Sequence, residues 1–546
     1  MLTWRVWRAH RSYTVALAGL LTAALGLSIG GCPAIPAESS VGKLDPNFEP
    51  TLDLRLRARA AETQIFDGAA TRTLGYEPEL ISGDSTRLAP IAGSYLGPII
   101  RARTGDRLRI RLQNDLNEAT IIHWHGMRVP ANQDGHPTAA VGPGKEYVYE
   151  FEVRDRAGTY WFHPHTHGTT ASQVYSGLAG LLLVSDDEEA AAGLPGGDHD
   201  IPLIIQDRSF DADNQLVYPP HAGQMMDGFL GDQVLVNGQP SYQLNVATQV
   251  YRLRLVNGSN SRTYKLAWSD GTPLVAIATD GGLLETPVER QYVTLGPGER
   301  IEAWADFSGR SVGTQLTLES LAFSGTDIGM NGVMSVGLGG GMGGGMKATT
   351  ETTQAISGQL NGAPLTVMRV VVDRTEPETL VRPTTLSTFA KYRIEDAVNA
   401  DSPRRFSVTM SMAMGMGMGT MGMSWGFNGR QFSETGVAAN EVIPFDQLEL
   451  WELVNETSPM AMNHPIHIHG AQFQVIGRSV NDAFMTGWES VRGGYVDEGW
   501  KDTVLLMPGE RVRLLIRFGD FAGTYVYHCH NLEHSDSGMM RNLRIE

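Results

Sequence analysis

An all-β chain built from three copies of one sandwich domain is the fold that this sequence predicts, and three observations carry the prediction. Residues 143–163 read PGKEYVYEFEVRDRAGTYWFH and residues 508–528 read PGERVRLLIRFGDFAGTYVYH, the same interval with Ala-Gly-Thr-Tyr at matching places. A weaker third copy, LGPGERIEAWADFSG, contains Pro297 and has no histidines after it. Each copy joins a Pro-Gly turn, an alternating strand, a glycine turn and a second strand, which is the grammar of a repeated β-sandwich. The 63 glycines fit such a turn-rich protein, and no long helical periodicity competes with it.

Domain boundaries follow from length and composition. At roughly 100–200 residues per domain, 546 residues allow three or four domains. The first is expected over 50–185, closed by the acidic, Ala/Gly-rich linker 185–199. The second is expected over 200–350, with the strand-like segments VLVNG at 234–238 and YRLRLVNG at 251–258. It fades into a Gly/Met/Thr-rich stretch at 338–354, and the third runs over 365–546.

Residues 1–31 read as an export signal: Arg5, Arg8 and Arg11 precede an apolar run from Val15 to Leu27, too short to span a membrane. Gly30-Gly31-Cys32 resembles a bacterial lipobox, so Cys32 is a candidate lipid attachment point and membrane tether. We expect an exported monomer, either periplasmic or anchored to the bacterial envelope. The formal charge of −17 becomes −20 without the signal and its three arginines, which argues against nucleic-acid partners. With two cysteines a framework of several disulfides is excluded. Cys529 is then the only thiol in the body of the protein, and it sits between two histidines.

Ten of the 15 histidines fall in four motifs. They are His123-Trp124-His125-Gly126, His163-Pro164-His165, His464-Pro465-Ile466-His467-Ile468-His469-Gly470, and His528-Cys529-His530 with His534 beyond. Residues two apart on a strand share a face, so each His-x-His offers two imidazoles to one metal-sized space. One such pair is weak evidence. Four pairs, matched between the first and last repeats and missing from the middle one, predict a metal cluster where the first and third domains meet. Cys529 with His464, His534 and Met539 adds a thiolate, two imidazoles and a thioether, the ligand set of a blue-copper electron-transfer site.

The motifs HWHG, WFHPHTHG, HPIHIHG and HCHNLEHSDSGMM resemble the four copper signatures of multicopper oxidases, above all three-domain bacterial laccases and copper-efflux-type cuprous oxidases. The likeness spans nearly the whole exported chain. It implies three cupredoxin-like Greek-key β-sandwich domains, four copper ions and reduction of O₂ to water. Carried over by residue, it implies a type 1 copper on His464, Cys529, His534 and Met539. The type 2 copper falls to His123 and His467. The type 3 pair falls to His125, His163, His165, His469, His528 and His530. His10, His136, His167, His199 and His221 are expected to stay outside the sites. Cys529 would pass electrons to the cluster, and Asp134 matches an acid placed near the type 2 copper that relays protons. Where copper-efflux relatives carry a proton-delivering glutamate, this chain has Ser535 followed by Asp536, which makes Asp536 a candidate for that role.

Eleven of the 22 methionines lie in two tracts: Met330, Met334, Met342 and Met346, then Met410, Met412, Met414, Met416, Met418, Met421 and Met423. Thioethers are soft ligands that select Cu(I), and a core strand would use Val or Ile without repeated glycines. Met460 and Met462 precede His464, and in copper-efflux relatives a methionine at the place of Met462 binds substrate Cu(I). The expected substrate is therefore Cu(I), in copper tolerance. Oxidation of phenols or other small organic reductants is the alternative within the same enzyme class, and copper storage or transfer is the alternative outside it.

Overall fold

The computed structural model describes residues 42–219, 227–325, 360–414, 421–455 and 462–546. The signal 1–31, Cys32, His10, His221, the first methionine tract, Met416, Met418 and Met460 lie outside them. The described strands form six sheets, two in each of three successive sandwiches.

Leu52–Thr63 shows how the sequence makes the first sandwich. Leu54, Leu56 and Ala58 are buried and alternate with Arg55, Arg57 and Arg59, after a start at which Leu52 and Asp53 are both buried. The strand lies between Thr71–Ser82, antiparallel to it, and Arg107–Asn114, parallel to it. The facing sheet pairs Ile122–His125 with Gly158–Pro164, setting His123 opposite His163 and Trp124 opposite Phe162. Trp124 and Phe162 join the core against Leu54 and Leu56, so the alternate histidines must face the other way.

The third sandwich repeats the device. His464–Ile468 pairs with Gly523–Cys529, placing Ile466 opposite Cys529 and His467 opposite His528. Ile466, Cys529 and Met539 are core residues of this domain. His467 and His528 therefore leave by the opposite face.

Two boundaries differ from expectation. Leu365–Arg374 does not open the third domain. It pairs parallel with Gln243–Ala247 and antiparallel with Gln315–Ser320, and Val367, Met368, Val370 and Val372 fill the middle core. The glycine-rich stretch before it reads as a domain linker but interrupts the second domain, whose last strand lies beyond it. The third domain's first strand is Arg404–Met414. The linker 185–199 is also structured. Asp186 caps a short helix, Asp187–Ala191, and Glu189 reaches Arg252 of the middle domain at 2.6 Å. Among the described residues no helix is long and apolar enough to cross a membrane.

Because Met368 packs in the core that contains Trp268 and Trp304, Met368→Ala should cost about 2–5 kcal/mol. Denaturant unfolding followed by tryptophan fluorescence measures it; an unchanged midpoint would return this strand to the third domain.

Candidate metal centres

His464, Cys529 and His534 converge inside the third domain. Cys529 Sγ lies 3.5 Å from His464 Nδ1 and 3.8 Å from His534 Nδ1, and all three residues are buried. The turn after the cysteine is pinned at both ends. Asn531 donates its backbone N–H to Cys529 Sγ at 3.4 Å, and its side chain caps the helix Leu532–Asp536 that delivers His534. Met539 N–H donates to His534 O at 2.9 Å and Cys529 N–H to Met539 O at 3.0 Å, which brings the buried methionine back beside the cysteine. Trp425 stacks on His534 at 4.1 Å. Burial pushes the Cys529 thiol up and the His464 imidazole down, so each prefers its neutral form until a cation displaces the thiol proton.

The other eight histidines meet where the first and third domains join. Three groups, the first two sharing His125, each have ligand atoms within 4.8 Å of one another: His123, His125 and His467; His125, His163 and His530; His165, His469 and His528. Most of these side chains fix their orientation from outside. His123 Nδ1 lies 2.9 Å from Asp134 O and His467 Nδ1 2.9 Å from Asp502 O. His163 Nδ1 lies 2.8 Å from Pro164 O, His528 Nδ1 3.0 Å from Cys529 O, and His469 Nδ1 2.7 Å from Asp134 Oδ2. An oxygen acceptor at Nδ1 places the proton there and leaves a bare lone pair on Nε2.

Those lone pairs face one another. Nε2–Nε2 separations are 3.2 Å for His123–His467, 3.1 Å for His165–His528 and 3.2 Å for His469–His528. His125 is reversed: its Nε2 faces Asp502 Oδ1 at 3.0 Å, and its Nδ1 faces His163 Nε2 at 3.4 Å. His530 has no hydrogen-bond partner at either ring nitrogen. Burial, reinforced by neighbouring histidines, holds six of these rings well below the usual imidazole range, His125, His163, His165, His469, His528 and His530; burial also lowers His467, against the pull of Asp502. Neutral imidazoles whose ring nitrogens converge fit metal cations, and the donor set suits copper.

Asp134 is buried, accepts from His469 and lies 3.4 Å from His123 through its other oxygen, so it touches one ring expected at the type 2 site and one expected at the type 3 pair. Asp536 is placed otherwise. Its oxygens accept from the backbone N–H groups of Gly168, Thr170 and Ala171 at 3.0, 3.3 and 2.8 Å, and burial raises its carboxyl to about 7. This carboxylate ties the third domain to the first domain's helix Thr170–Ser176, and none of these bonds goes to a cluster histidine. Ser535 is nearer, with Oγ 3.5 Å from His528 Nδ1. Among the other histidines, His136 bonds Asn542, His199 bonds Gln249 and His167 packs on Phe432, outside every metal-sized group. Met462 is buried in the third-domain core just before His464.

Sequence reasoning missed Asp502, Thr503 and Arg300. Arg300 binds Asp502 through both oxygens, at 2.7 and 2.6 Å. Burial alone would raise Asp502, but Arg300 and His125 outweigh it and hold the carboxyl well below the usual range. The one signal available was the third repeat, whose Pro-Gly-Glu-Arg turn supplies Arg300. Gly126 explains the glycine of the first motif: at φ +87°, a Cβ there would fall 2.4 Å from Asp502 Oδ2 and 2.5 Å from Arg300 Nη2.

Residues 75–189 and 398–546 each match a family model described as multicopper oxidase. The chain is 30% identical to the multicopper oxidase mco of Staphylococcus haemolyticus over 90% of its own length and 88% of that protein. It is 30% identical to a laccase of Bacillus stratosphericus over 84% of its length and 91% of that relative. The crystal structure of the McoA multicopper oxidase from Aquifex aeolicus superposes with a TM-score of 0.71 at 31% identity, covering 91% of this chain and 97% of that one. The chain therefore belongs to the multicopper oxidase family, as a three-domain, cupredoxin-like copper oxidoreductase with oxygen as electron acceptor.

Proposed function

We propose that this chain holds four copper ions and oxidises Cu(I), with O₂ as the final acceptor. His464, Cys529, His534 and Met539 would hold a type 1 copper, and His123 and His467 a type 2 copper. His125, His163 and His530 would hold one type 3 ion, and His165, His469 and His528 the other. The convergence of unprotonated imidazole nitrogens carries this assignment. Bound copper supplies one-electron oxidation of substrate at the first site and reduction of O₂ to water at the cluster.

The chain's own part is connection and protons. Cys529 is bonded in sequence to His528 and His530, and the hydrogen bond from His528 Nδ1 to Cys529 O shortens the path from thiolate to cluster. Asp134 aims His469 and His123 and offers an oxygen beside them for a proton. Ser535, beside His528, is better placed than Asp536 to continue that path.

Cu(I) is favoured by the methionine hairpin. Arg404–Met414 and Met421–Phe427 pair so that Met410 opposes Trp425, Met412 opposes Met423 and Met414 opposes Met421. The ladder thus starts at the tryptophan stacked on His534 and continues into consecutive methionine pairs. Relatives named multicopper oxidase and laccase agree with an oxidase and give copper storage no support. An exported enzyme, periplasmic or tethered through Cys32, completes the reading.

O₂ uptake by the copper-loaded protein, measured with Cu(I) and with a simple phenol, tests the substrate. Faster uptake with Cu(I) is expected; preference for the phenol would make the enzyme a laccase. Replacing Met412, Met414, Met421 and Met423 by leucine should raise KM for Cu(I) and leave phenol turnover intact. Cys529→Ser should abolish the blue absorption and oxidase activity while the cluster histidines still take up copper. Asp134→Ala should weaken copper at His123 and His469 about 10–100-fold, read by metal titration, and equal affinity would refute its orienting role.

A further inference from the structure

The middle domain contributes no ligand to the cluster, yet its turn Gly296–Arg300 reaches the junction. Gly298 packs so tightly there that a Cβ would fall 2.9 Å from His530 and 3.0 Å from His125. Arg300, wholly buried, uses all five of its guanidinium N–H groups. Nε donates to Thr159 O at 2.9 Å, in the first-domain strand that carries His163. Nη1 donates to Gly298 O at 3.0 Å and Nη2 to Asp280 O at 2.9 Å. The remaining two go to the two oxygens of Asp502, in the third domain.

Asp502 is the other half of the device. The oxygen that takes 2.7 Å from Arg300 Nη1 also lies 3.0 Å from His125 Nε2 and accepts from Thr503 Oγ1 at 2.9 Å. Its backbone carbonyl lies 2.9 Å from His467 Nδ1, and Thr503 Oγ1 lies 3.0 Å from the same nitrogen. His125 is the ring whose orientation is reversed, and Asp502 is the anion that keeps its proton on Nε2. An unpaired carboxylate buried beside that ring would be costly, and a bidentate arginine neutralises it in fixed geometry.

We propose that Arg300 is a positioning residue of the cluster, acting through Asp502 to set the tautomer of His125 and the aim of His467. The inference rests on the copper assignment above. It makes the domain without histidines a working part of the oxygen-reducing site, with Arg300 bound to all three domains at once.

The test compares copper-loaded wild type, Asp502→Asn and Arg300→Lys in the full chain. Four readings are taken: copper per protein, the blue absorption, the type 2 EPR signal and thermal melting of each apoprotein. In Asp502→Asn the charge is lost and, whichever way the carboxamide turns, its NH₂ faces an N–H of Arg300, so the two-oxygen pairing that fixes the side chain is broken. For this variant we expect at least a tenfold loss of copper affinity at the His123/His467 site, an altered type 2 signal and an unchanged blue band. Arg300→Lys, which keeps the charge but not the fork, should fall between that variant and wild type. Arg300→Met removes the charge as well; should it fail to fold, the two milder variants decide. Lowered melting with wild-type affinity and type 2 signal would overturn the proposal and reduce the pair to a domain clasp. A wild type without any type 2 signal would instead overturn the copper assignment, and the inference with it.

Discussion

The junction between the first and third domains turns on keeping the inward nitrogens of closely packed, buried imidazole rings free of protons. A lone pair aimed at another lone pair 3.1–3.4 Å away is repulsive, and eight rings left to themselves would rotate or take up protons. For six of the eight rings the fold prevents this from outside, while His165 Nδ1 and both ring nitrogens of His530 have no such acceptor. Backbone carbonyls of Asp134, Pro164, Asp502 and Cys529 and the carboxylates of Asp134 and Asp502 each hold an outward N–H. Several of these acceptors are next to, or one strand away from, the ring they orient, so the β-ladders that build the two sandwiches also aim the ligands. The repulsion left over is relieved by metal cations, which couples metal binding to the stability of the domain junction.

The strands explain why one chain can hold two different metal environments so close together. At Cys529 the alternation of a strand sends the thiol into the third-domain core, among Ile466, Met539 and Trp425, and its two neighbours out to the junction. A soft, dry, single-metal site and a polyhistidine site are therefore separated by the thickness of one strand. The distance an electron must cover is set by covalent geometry, which thermal motion changes little.

Most of this was legible from the sequence because period-two spacing and residue chemistry are local properties. The four histidine motifs, Cys529 and Asp134 all lie within short windows, and the structure gathers every one of those histidines into a metal-sized group. What could not be read was anything that depends on partners far away in the chain. Asp502 sits in Trp-Lys-Asp-Thr with no spacing signal, and its importance comes from Arg300, two hundred residues earlier. The strand Leu365–Arg374 falls to the wrong domain in the sequence because a glycine-rich stretch looks like a linker whether it joins domains or interrupts one. Asp536 looks like a replacement acid because it stands beside Ser535, but its place in a short helix turns it toward the backbone of residues 168–171.

The surroundings of the third-domain site bear on the choice of reductant. His464 and His534 are both buried, and Trp425 covers the face of the His534 ring. A bulky phenol that needs van der Waals contact with a ligand imidazole finds that face taken by an indole. Trp425 belongs to the hairpin whose register continues from Met410 and Trp425 to Met412 opposite Met423 and Met414 opposite Met421. Tryptophan there is polarisable and stacks on the ring of His534, a proposed copper ligand. A small, soft ion gains from thioether ligands, whereas a phenol gains only apolar contact from methionines. On the proposed Cu(I) reading the two substrates differ in ligand chemistry rather than in size alone, which is why methionine-to-leucine changes, conserving volume while removing sulfur, distinguish a metal path from an apolar lid.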